Sequence, residues 1–456
     1  MTVCRSIVSP LAIVLVLLSS FLRAQTPWLE PYREPARKLI DESLSSRFAW
    51  ERLAELTDTF GHRLSGSDSL AAAITWAAEQ MKKDGLENVR LEPVKVPHWV
   101  RGAESLEIVA PARQSLVALG LGNSVGTPPE GIEADAIVVG SFAELQSSAS
   151  QVKGRIVLFN VPFTTYSETV LYRADGASRA AALGAVAALV RAVGPPGLRT
   201  PHTGALRYDD DAPQIPAAAI ATEDADRLQR MQDRGTRVRL RLKMEARFLP
   251  DADSFNVVAE IRGRERPDEV VVMGGHFDSW DVGTGATDDG GGCVVTWDAL
   301  RLMKKLGLRP RRTVRVVLWT NEENGLRGGL AYRDRYRDQL SNHVLMLESD
   351  SGVFKPTGFG FSGSDTARAR VKEIAKLLSG IQADRIGESG GGADIGPSVQ
   401  AGNIPAMSLE VDGDYFLIHH TPADTIERID AGDMSRAAAA IAVMAFVIAE
   451  MPERLR

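Results

Sequence analysis

Cysteine is nearly absent from this 456-residue sequence, which contains only Cys4 and Cys293. Cys4 lies in an N-terminal segment that we expect to be removed, so the remaining chain would have one thiol and no internal disulfide. Its stability must then come mainly from burial of a core. Because Cys293 follows a glycine run and begins an apolar helical pattern, we expect it to be a buried structural thiol.

The sequence also lacks a long basic run, and its formal net charge is −6. This argues against nucleic acid as a partner. Internal repeats and low-complexity tracts are missing, which argues against a repeat protein or a disordered linker. Outside the N-terminal segment we find no stretch apolar enough to cross a bilayer, so we expect no stable membrane anchor.

The N-terminal segment has the features of an export signal. A basic residue, Arg5, precedes an uninterrupted apolar run at residues 11–18, and the small residue Ala24 suits a cleavage site. The apolar run is too short to span a membrane comfortably. We therefore predict a signal peptide over residues 1–24 and a secreted or periplasmic protein.

The remaining composition, 44% hydrophobic and 25% charged, is typical of a globular protein with two or three domains. From residue 256 onward, short apolar runs such as "EVVVMGGH" and "RTVRVVLW" alternate with amphipathic stretches such as "GGCVVTWDALRLMKKLG". This alternation predicts an α/β fold with a mostly parallel central sheet flanked by helices.

The pattern changes between residues 112 and 246. Short apolar strands, an alanine-rich helix and turn-rich stretches such as "VGPPG" follow one another there. We interpret this region as a small α/β domain inserted into the main domain, which would comprise residues 25–111 and 247–456.

Residues with metal-binding side chains follow several of the predicted strands. His276 ends one strand, Glu322 and Glu323 follow the next, and Asp350 follows a third. Near the C-terminus, "YFLIHHTPADT" adds adjacent histidines at 419–420. In such sheets, binding sites form outside the carboxyl ends of the strands. Imidazole and carboxylate ligands without thiolate suit zinc or a similar divalent ion.

Five motifs in this region resemble those of a known family. They are "GGHFDSWDVGTGATDDGGG", "NEENGLRGG", "LESDSG", "ADIGPSVQAGNIPA" and "HHTPADT". In this order they resemble the co-catalytic zinc exopeptidases of metallopeptidase family M28, which include bacterial aminopeptidases and glutamate carboxypeptidases. The resemblance implies a zinc exopeptidase fold, and the insertion resembles a protease-associated domain.

The resemblance implies two zinc ions per chain, held by five ligands. His276 and Asp350 would bind one ion, Glu323 and His420 would bind the other, and Asp288 would bridge both. The chemistry agrees, because two neighbouring cations need a negative charge between them.

The resemblance also implies roles for residues beside the ligands. Glu322 would be the general base and acid, and Asp278 would orient the His276 imidazole as a catalytic neighbour. This explains the adjacent glutamates, since on a turn one can reach metal while the other reaches water. Asp289 competes with Asp288 as the bridge, and the motif position favours Asp288.

The residues that would bind substrate are less defined. Many family members have tyrosine where this sequence has His419, so His419 or Tyr415 would have to polarise the substrate carbonyl. His419 also competes with His420 as the ligand, and the family's placement of the ligand directly before Thr favours His420. The strand-like "YFLI" predicts that the two side chains diverge, with one facing the metals. Asp394 is expected near the substrate in a flexible loop, and Arg327 and Arg385 are candidate anion partners.

Three functions fit this fold. The first is a secreted exopeptidase acting on dipeptides or short peptides, with a homodimer as a possible assembly. The second is a receptor-like binding protein without activity, but such relatives lose metal ligands. The third is a glutaminyl cyclase-type acyltransferase with one zinc, which the intact His276 and the insertion argue against.

Overall fold

The computed structural model describes residues 27–455 of the chain. The signal peptide predicted at residues 1–24 lies outside these described residues.

The strands belong to two separate eight-stranded sheets. In chain order they are β1 (Glu87–Val100), β2 (Glu104–Ala110), β3 (Gln114–Leu116), β4 (Ala118–Gly120), β5 (Ile132–Val139), β6 (Ile156–Phe159), β7 (Ala187–Arg191), β8 (Ala217–Ile220), β9 (Arg239–Met244), β10 (Arg247–Ile261), β11 (Arg266–His276), β12 (Arg312–Trp319), β13 (His343–Glu348), β14 (Lys355–Ser362), β15 (Arg385–Gly387) and β16 (Ala406–Asp412).

Helices connect these strands and cover both sheets. They are α1 (Glu30–Leu44), α2 (Phe48–Phe60), α3 (Asp68–Lys83), α4 (Phe142–Ser147), α5 (Ala149–Val152), α6 (Tyr166–Ala182), α7 (Thr222–Asp233), α8 (Gly291–Lys305), α9 (Arg327–Arg335), α10 (Asp365–Ala375), α11 (Gly396–Gly402), α12 (Tyr415–Ile418) and α13 (Ala431–Glu450).

The first sheet has the order β1-β10-β12-β11-β13-β16-β14-β15. Its central strands β12, β11, β13 and β16 run parallel, whereas β10 and β14 join them antiparallel. The α/β class is as predicted, with a mixed sheet around a parallel centre. His276 lies opposite Trp319 in the register of β11 and β12, so the segments that follow both strands leave the sheet at the same edge.

The second sheet has the order β3-β2-β9-β5-β6-β7-β8-β4 and lies between β1 and β10 in the sequence. It begins with β2 at Glu104, before the boundary predicted at residue 112. Because β2 continues the strand-like alternation of β1, the sequence pattern does not mark the change of sheet, and the domain boundary at residue 112 stays a prediction. The polypeptide enters and leaves this sheet through residues 101–103 and 245–246.

Helix α13 corrects the expectation about apolar segments. It is long and apolar enough to cross a membrane, yet 78% of its apolar window is buried inside the protein. It packs against α1 and α8 in the core of the main domain. Its apolar composition therefore fits a central core helix.

A buried arginine fixes the loop that follows β11. The Arg63 guanidinium, in the "FGHRLSGS" segment, is fully buried and donates to the carbonyl oxygens of Phe277, Thr284 and Gly285 at 2.7–2.9 Å. Because a buried charge needs hydrogen-bond partners, this arrangement holds the backbone around residues 277–285 in one conformation.

Candidate metal centre

Three side chains meet at the carboxyl ends of β11 and β13. His276 Nε2 lies 3.1 Å from Asp288 Oδ1 and 3.4 Å from Asp350 Oδ1. Asp288 reaches this point from the loop between β11 and α8, while Asp350 follows β13. These three potential ligand atoms all lie within 4.8 Å of one another. One imidazole and two carboxylates thus converge on one position.

The other oxygen of Asp288 faces a second group of side chains. Asp288 Oδ2 is 3.2 Å from His420 Nε2, which is in turn 3.1 Å from Glu323 Oε2. Burial acts to raise the pKa of Asp288, but the neighbouring His276 and His420 outweigh it and hold that pKa well below its usual range. Asp288 therefore lies between two clusters, with His276 and Asp350 on one side and His420, Glu323 and the neighbouring His419 on the other.

Asp288 and Asp289 occupy different environments. The Asp289 carboxylate accepts hydrogen bonds from the backbone amides of His276 and Gly292, both at 3.1 Å. The backbone amide of Asp288, by contrast, donates to the carboxylate of Asp424 at 3.1 Å, which leaves its own side chain facing the imidazoles. Asp289 thus binds backbone amides, whereas the Asp288 carboxylate lies between the imidazoles of His276 and His420.

One carboxylate accepts hydrogen bonds from the backbone amides of both adjacent glutamates. Asp278 accepts from the backbone amide of Glu322 at 3.0 Å and from that of Glu323 at 3.3 Å. The hydrogen bond to His276 comes instead from the carbonyl oxygen of Asp278, 3.0 Å from Nδ1, whereas its carboxylate is 3.9 Å away. Asp278 therefore positions His276 through its backbone and the glutamate turn through its side chain.

Glu322 and Glu323 differ in their contacts. Both line the cavity, but Glu323 contacts His420, whereas Glu322 has no imidazole within ion-pair distance among the described residues. Burial raises the pKa of Glu322 well above its usual range, although His276 opposes that shift. Burial likewise raises the pKa of Glu323 to about 7. A carboxylate with a raised pKa is a stronger base than an ordinary one.

The expectation that the two histidines diverge is wrong. Residues 415–418 form the short helix α12, not a strand, and His420 has a φ of +60°. The rings of His419 and His420 stack with centroids 3.5 Å apart, and His419 Nε2 is 3.7 Å from Asp288 Oδ2. Both imidazoles therefore face the same carboxylate, which the alternation of a strand would not allow.

Several ligand atoms lack a protein donor. Among the described residues, no group in hydrogen-bonding geometry serves the buried atoms Asp288 Oδ2, Asp350 Oδ1 and Glu323 Oε1. Buried carboxylate oxygens without donors are costly, and a divalent cation would compensate them. The set of imidazole nitrogens and carboxylate oxygens suits zinc, so the residues present fit the predicted metal.

The clusters lie at the base of a cavity of about 900 Å³. Its walls include Arg385, Glu410 and Asp412 from the β14–β16 side of the main sheet, and Tyr166 and Arg173 from α6 of the inserted sheet. The sequence pattern does not predict the last two, because nothing in the local pattern of α6 shows that its N-terminal half faces a site on another sheet.

The remaining substrate candidates are placed differently from one another. Tyr415 lines the cavity with its ring 5.0 Å from that of His419, and Arg385 lines it as well. Arg327 is exposed at the start of α9 and does not line the cavity. Asp394 is also absent from the lining; it is 1% exposed, and its backbone amide donates to Glu348. Its contact with substrate stays a prediction.

Two family models match the chain. The model of peptidase family M28 matches residues 256–445, and that of the PA domain matches residues 113–228. The first range includes His276, Asp288, Glu323, Asp350 and His420. The second lies within the inserted sheet.

Similar proteins cover nearly the whole chain. Carboxypeptidase Q of Mus musculus is 47% identical over 428 residues, covering 93% of this chain and 91% of that protein. Carboxypeptidase Q of Homo sapiens is 48% identical, covering 89% and 86%.

Solved structures show the same fold. A peptidase M28 precursor from Shewanella amazonensis matches with a TM-score of 0.89 at 34% identity, covering 94% of this chain and 98% of the other. A zinc aminopeptidase from Bacillus subtilis matches with a TM-score of 0.67 at 19% identity, covering 90% and 96%. The second likeness concerns the fold alone.

Proposed function

The chain belongs to peptidase family M28, as the motifs predicted, and is a zinc-dependent metallopeptidase; we propose that it is a secreted dizinc exopeptidase that cleaves dipeptides or short peptides. The relatives named carboxypeptidase Q support an exopeptidase. Export rests on the predicted signal peptide, and the zinc count and the residue roles rest on the arrangement of side chains.

One observation carries the dizinc proposal, namely that the two oxygens of Asp288 face two different imidazoles at 3.1 and 3.2 Å. His276 and Asp350 would hold one zinc, and Glu323 and His420 the other, with Asp288 shared. A single-zinc site would not need a carboxylate between two complete ligand sets.

The residues beside the ligands would carry the proton transfers and orientation. Zinc bound here would lower the pKa of a water molecule and polarise the scissile carbonyl. Glu322, which lines the cavity, would accept the proton of the attacking water and deliver it to the leaving amine. Asp278 would hold Glu322 and Glu323 in their separate directions through its bonds to both backbone amides.

His419 and Tyr415 are the candidates for stabilising the oxyanion. Both line the cavity, and His419 has a buried Nδ1 with no hydrogen-bond partner among the described residues. Such a donor contributes only if it faces the charge that develops on the substrate oxygen.

Replacement of the adjacent histidines by alanine should separate their roles. His420→Ala should weaken one zinc and abolish turnover, since His420 contacts both Asp288 and Glu323. His419→Ala should keep both zincs and lower kcat by about 10- to 10³-fold, the loss expected for one transition-state donor. Zinc content and kcat of both purified variants provide the check.

The two variants can also contradict these assignments. Zinc loss in His419→Ala with intact zinc in His420→Ala would reverse them. An unchanged kcat in His419→Ala would exclude His419 from catalysis and make Tyr415→Phe the next variant to assay.

The cavity walls are suited to a zwitterionic substrate. Glu410 and Asp412 offer negative charge for a free amine, while Arg173 and Arg385 offer positive charge for a carboxylate. Side chains of both charge signs within one cavity favour short peptides, whose two charged termini can both lie inside it.

Dipeptides with free or blocked termini test this substrate class. We expect unblocked dipeptides to be cleaved, and either N-acetylation or C-amidation to lower kcat/KM by about 10²-fold, since losing one partner of a desolvated charge pair costs about 2–5 kcal/mol. Equal cleavage of free and N-acetylated dipeptides would show that the amine is not read. Equal cleavage of free and C-amidated dipeptides would exclude reading of the carboxylate.

The rival functions predict other zinc contents and activities. A receptor-like protein would not hydrolyse peptides, and a cyclase-type acyltransferase would hold one zinc. The convergence of five ligand side chains with Glu322 favours the peptidase over both.

A further inference from the structure

A short loop of the inserted sheet lies directly against the proposed zinc ligand His420. This clamp loop, residues 201–204, is part of the connection between β7 and β8. The backbone amide of Thr203 donates to the carbonyl oxygen of His420 at 3.0 Å, and the carbonyl oxygen of Thr203 lies 3.2 Å from His420 Nδ1. The clamp loop thus both donates a hydrogen bond to His420 and accepts one from it.

The carbonyl of Thr203 determines which nitrogen of His420 is available. A carbonyl oxygen can only accept, so Nδ1 must carry the hydrogen, and Nε2 keeps its lone pair toward Asp288 and Glu323. Arg173 Nη1 also approaches Nδ1, at 3.4 Å, but it donates to the same carbonyl at 3.3 Å. If Nδ1 carries the hydrogen, both Nδ1 and Arg173 Nη1 donate to the carbonyl oxygen of Thr203, and Nδ1 makes the shorter of these contacts.

Gly204 allows the loop to approach this closely. Its φ is +128°, and a Cβ atom there would lie 2.7 Å from His420 Nδ1 and 2.3 Å from Arg173 Nη1. Any larger residue must displace the ligand, the guanidinium or the loop itself. Position 204 therefore requires glycine for two reasons: a side chain would collide with its neighbours, and the positive φ disfavours other residues.

The clamp loop is anchored to the segment that follows His276. Thr203 Oγ1 donates to the carbonyl of Gly120 at 2.7 Å and accepts from Arg101 Nη2 at 3.3 Å. Arg101, in the linker between the two sheets, forms an ion pair with Asp281 at 2.6 Å. The segment that follows His276 and the segment that contains His420 are thereby both bonded to the clamp loop of the inserted sheet.

We infer that the clamp loop is a built part of the metal centre, in which Thr203 and Gly204 are positioning residues that fix the tautomer and orientation of His420. The inference rests on the proposed dizinc function and extends it, because it makes the inserted domain necessary for tight binding at the zinc position that includes His420.

Gly204→Ala tests the inference, with Gly235→Ala as a matched control. Gly235 also lies in the inserted sheet region and has a φ of +72°, but nothing lies within 4 Å of an added Cβ. Loss of an outer partner of a metal-bound histidine typically lowers metal affinity 10- to 100-fold. We expect Gly204→Ala to raise the Kd of one zinc by that factor and Gly235→Ala to leave both unchanged.

The measurement is a zinc titration with a competing chelator, with the melting temperature of the zinc-free proteins recorded beside it. A merely structural glycine would lower the melting temperature and leave both Kd values unchanged, which would overturn the inference. If Gly204→Ala does not fold, Thr203→Val decides, since it removes only the hydroxyl anchor. Weaker binding of one zinc by this variant supports the inference. If both of its zinc Kd values equal those of the wild type, the inference is refuted.

The wild-type titration separates the two proposals. Fewer than two bound zincs in the wild type would refute the dizinc function and, with it, the inference. Two zincs in the wild type with wild-type affinity in Gly204→Ala would refute the inference alone.

Discussion

Glu322→Gln is expected to lower kcat by about 10²- to 10⁴-fold while the protein keeps both zinc ions. The amide has the shape of the carboxylate but cannot accept the proton of water. Glu322 lines the cavity and, unlike Glu323, has no imidazole within ion-pair distance among the described residues, so its replacement should not disturb metal binding. Steady-state kinetics and zinc content of the same preparation measure both effects.

Glu323→Gln is the matched comparison, because it makes the same change one residue along the same turn. Glu323 Oε2 is 3.1 Å from His420 Nε2, so this variant should lose affinity for one zinc. If Glu322→Gln loses a full zinc equivalent and Glu323→Gln does not, the two roles are reversed.

Asp288→Ala should be the most damaging single change at the site. One side chain serves both clusters, so its loss should empty or disorder both zinc positions and abolish turnover. A zinc ion present at 100 times its Kd stabilises the folded state by about 2.7 kcal/mol. The melting temperature in the presence of zinc should therefore fall further than for His276→Ala, which affects one ion directly.

Asp289→Ala is the control for this prediction. Its carboxylate binds the backbone amides of His276 and Gly292, so the variant should lose stability with or without zinc. If Asp289→Ala empties both zinc positions while Asp288→Ala keeps them, the bridge is Asp289.

Much of the site could be predicted because parallel strands end at one edge of a sheet. His276, the glutamates at 322–323 and Asp350 each follow a strand whose apolar run is evident in the sequence. Their convergence in the structure follows from that topology. The motifs then distinguished neighbours such as Asp288 and Asp289, which strand patterns alone do not separate.

Other features depend on contacts that no local pattern encodes. The tetrapeptide "YFLI" is β-branched and aromatic enough to predict a strand, yet it forms α12, packed against the inserted domain through Phe163 and Tyr166 on Phe416. The positions of Arg173 and the clamp loop at the site arise only because the two sheets meet at His420.

The number of zinc ions bound per chain tests the central claim most directly. The purified wild-type protein, loaded with zinc and dialysed, can be measured by atomic absorption, with dipeptide hydrolysis assayed on the same sample. The proposed centre predicts two zinc equivalents per chain in active protein. One equivalent or none in fully active protein would contradict it.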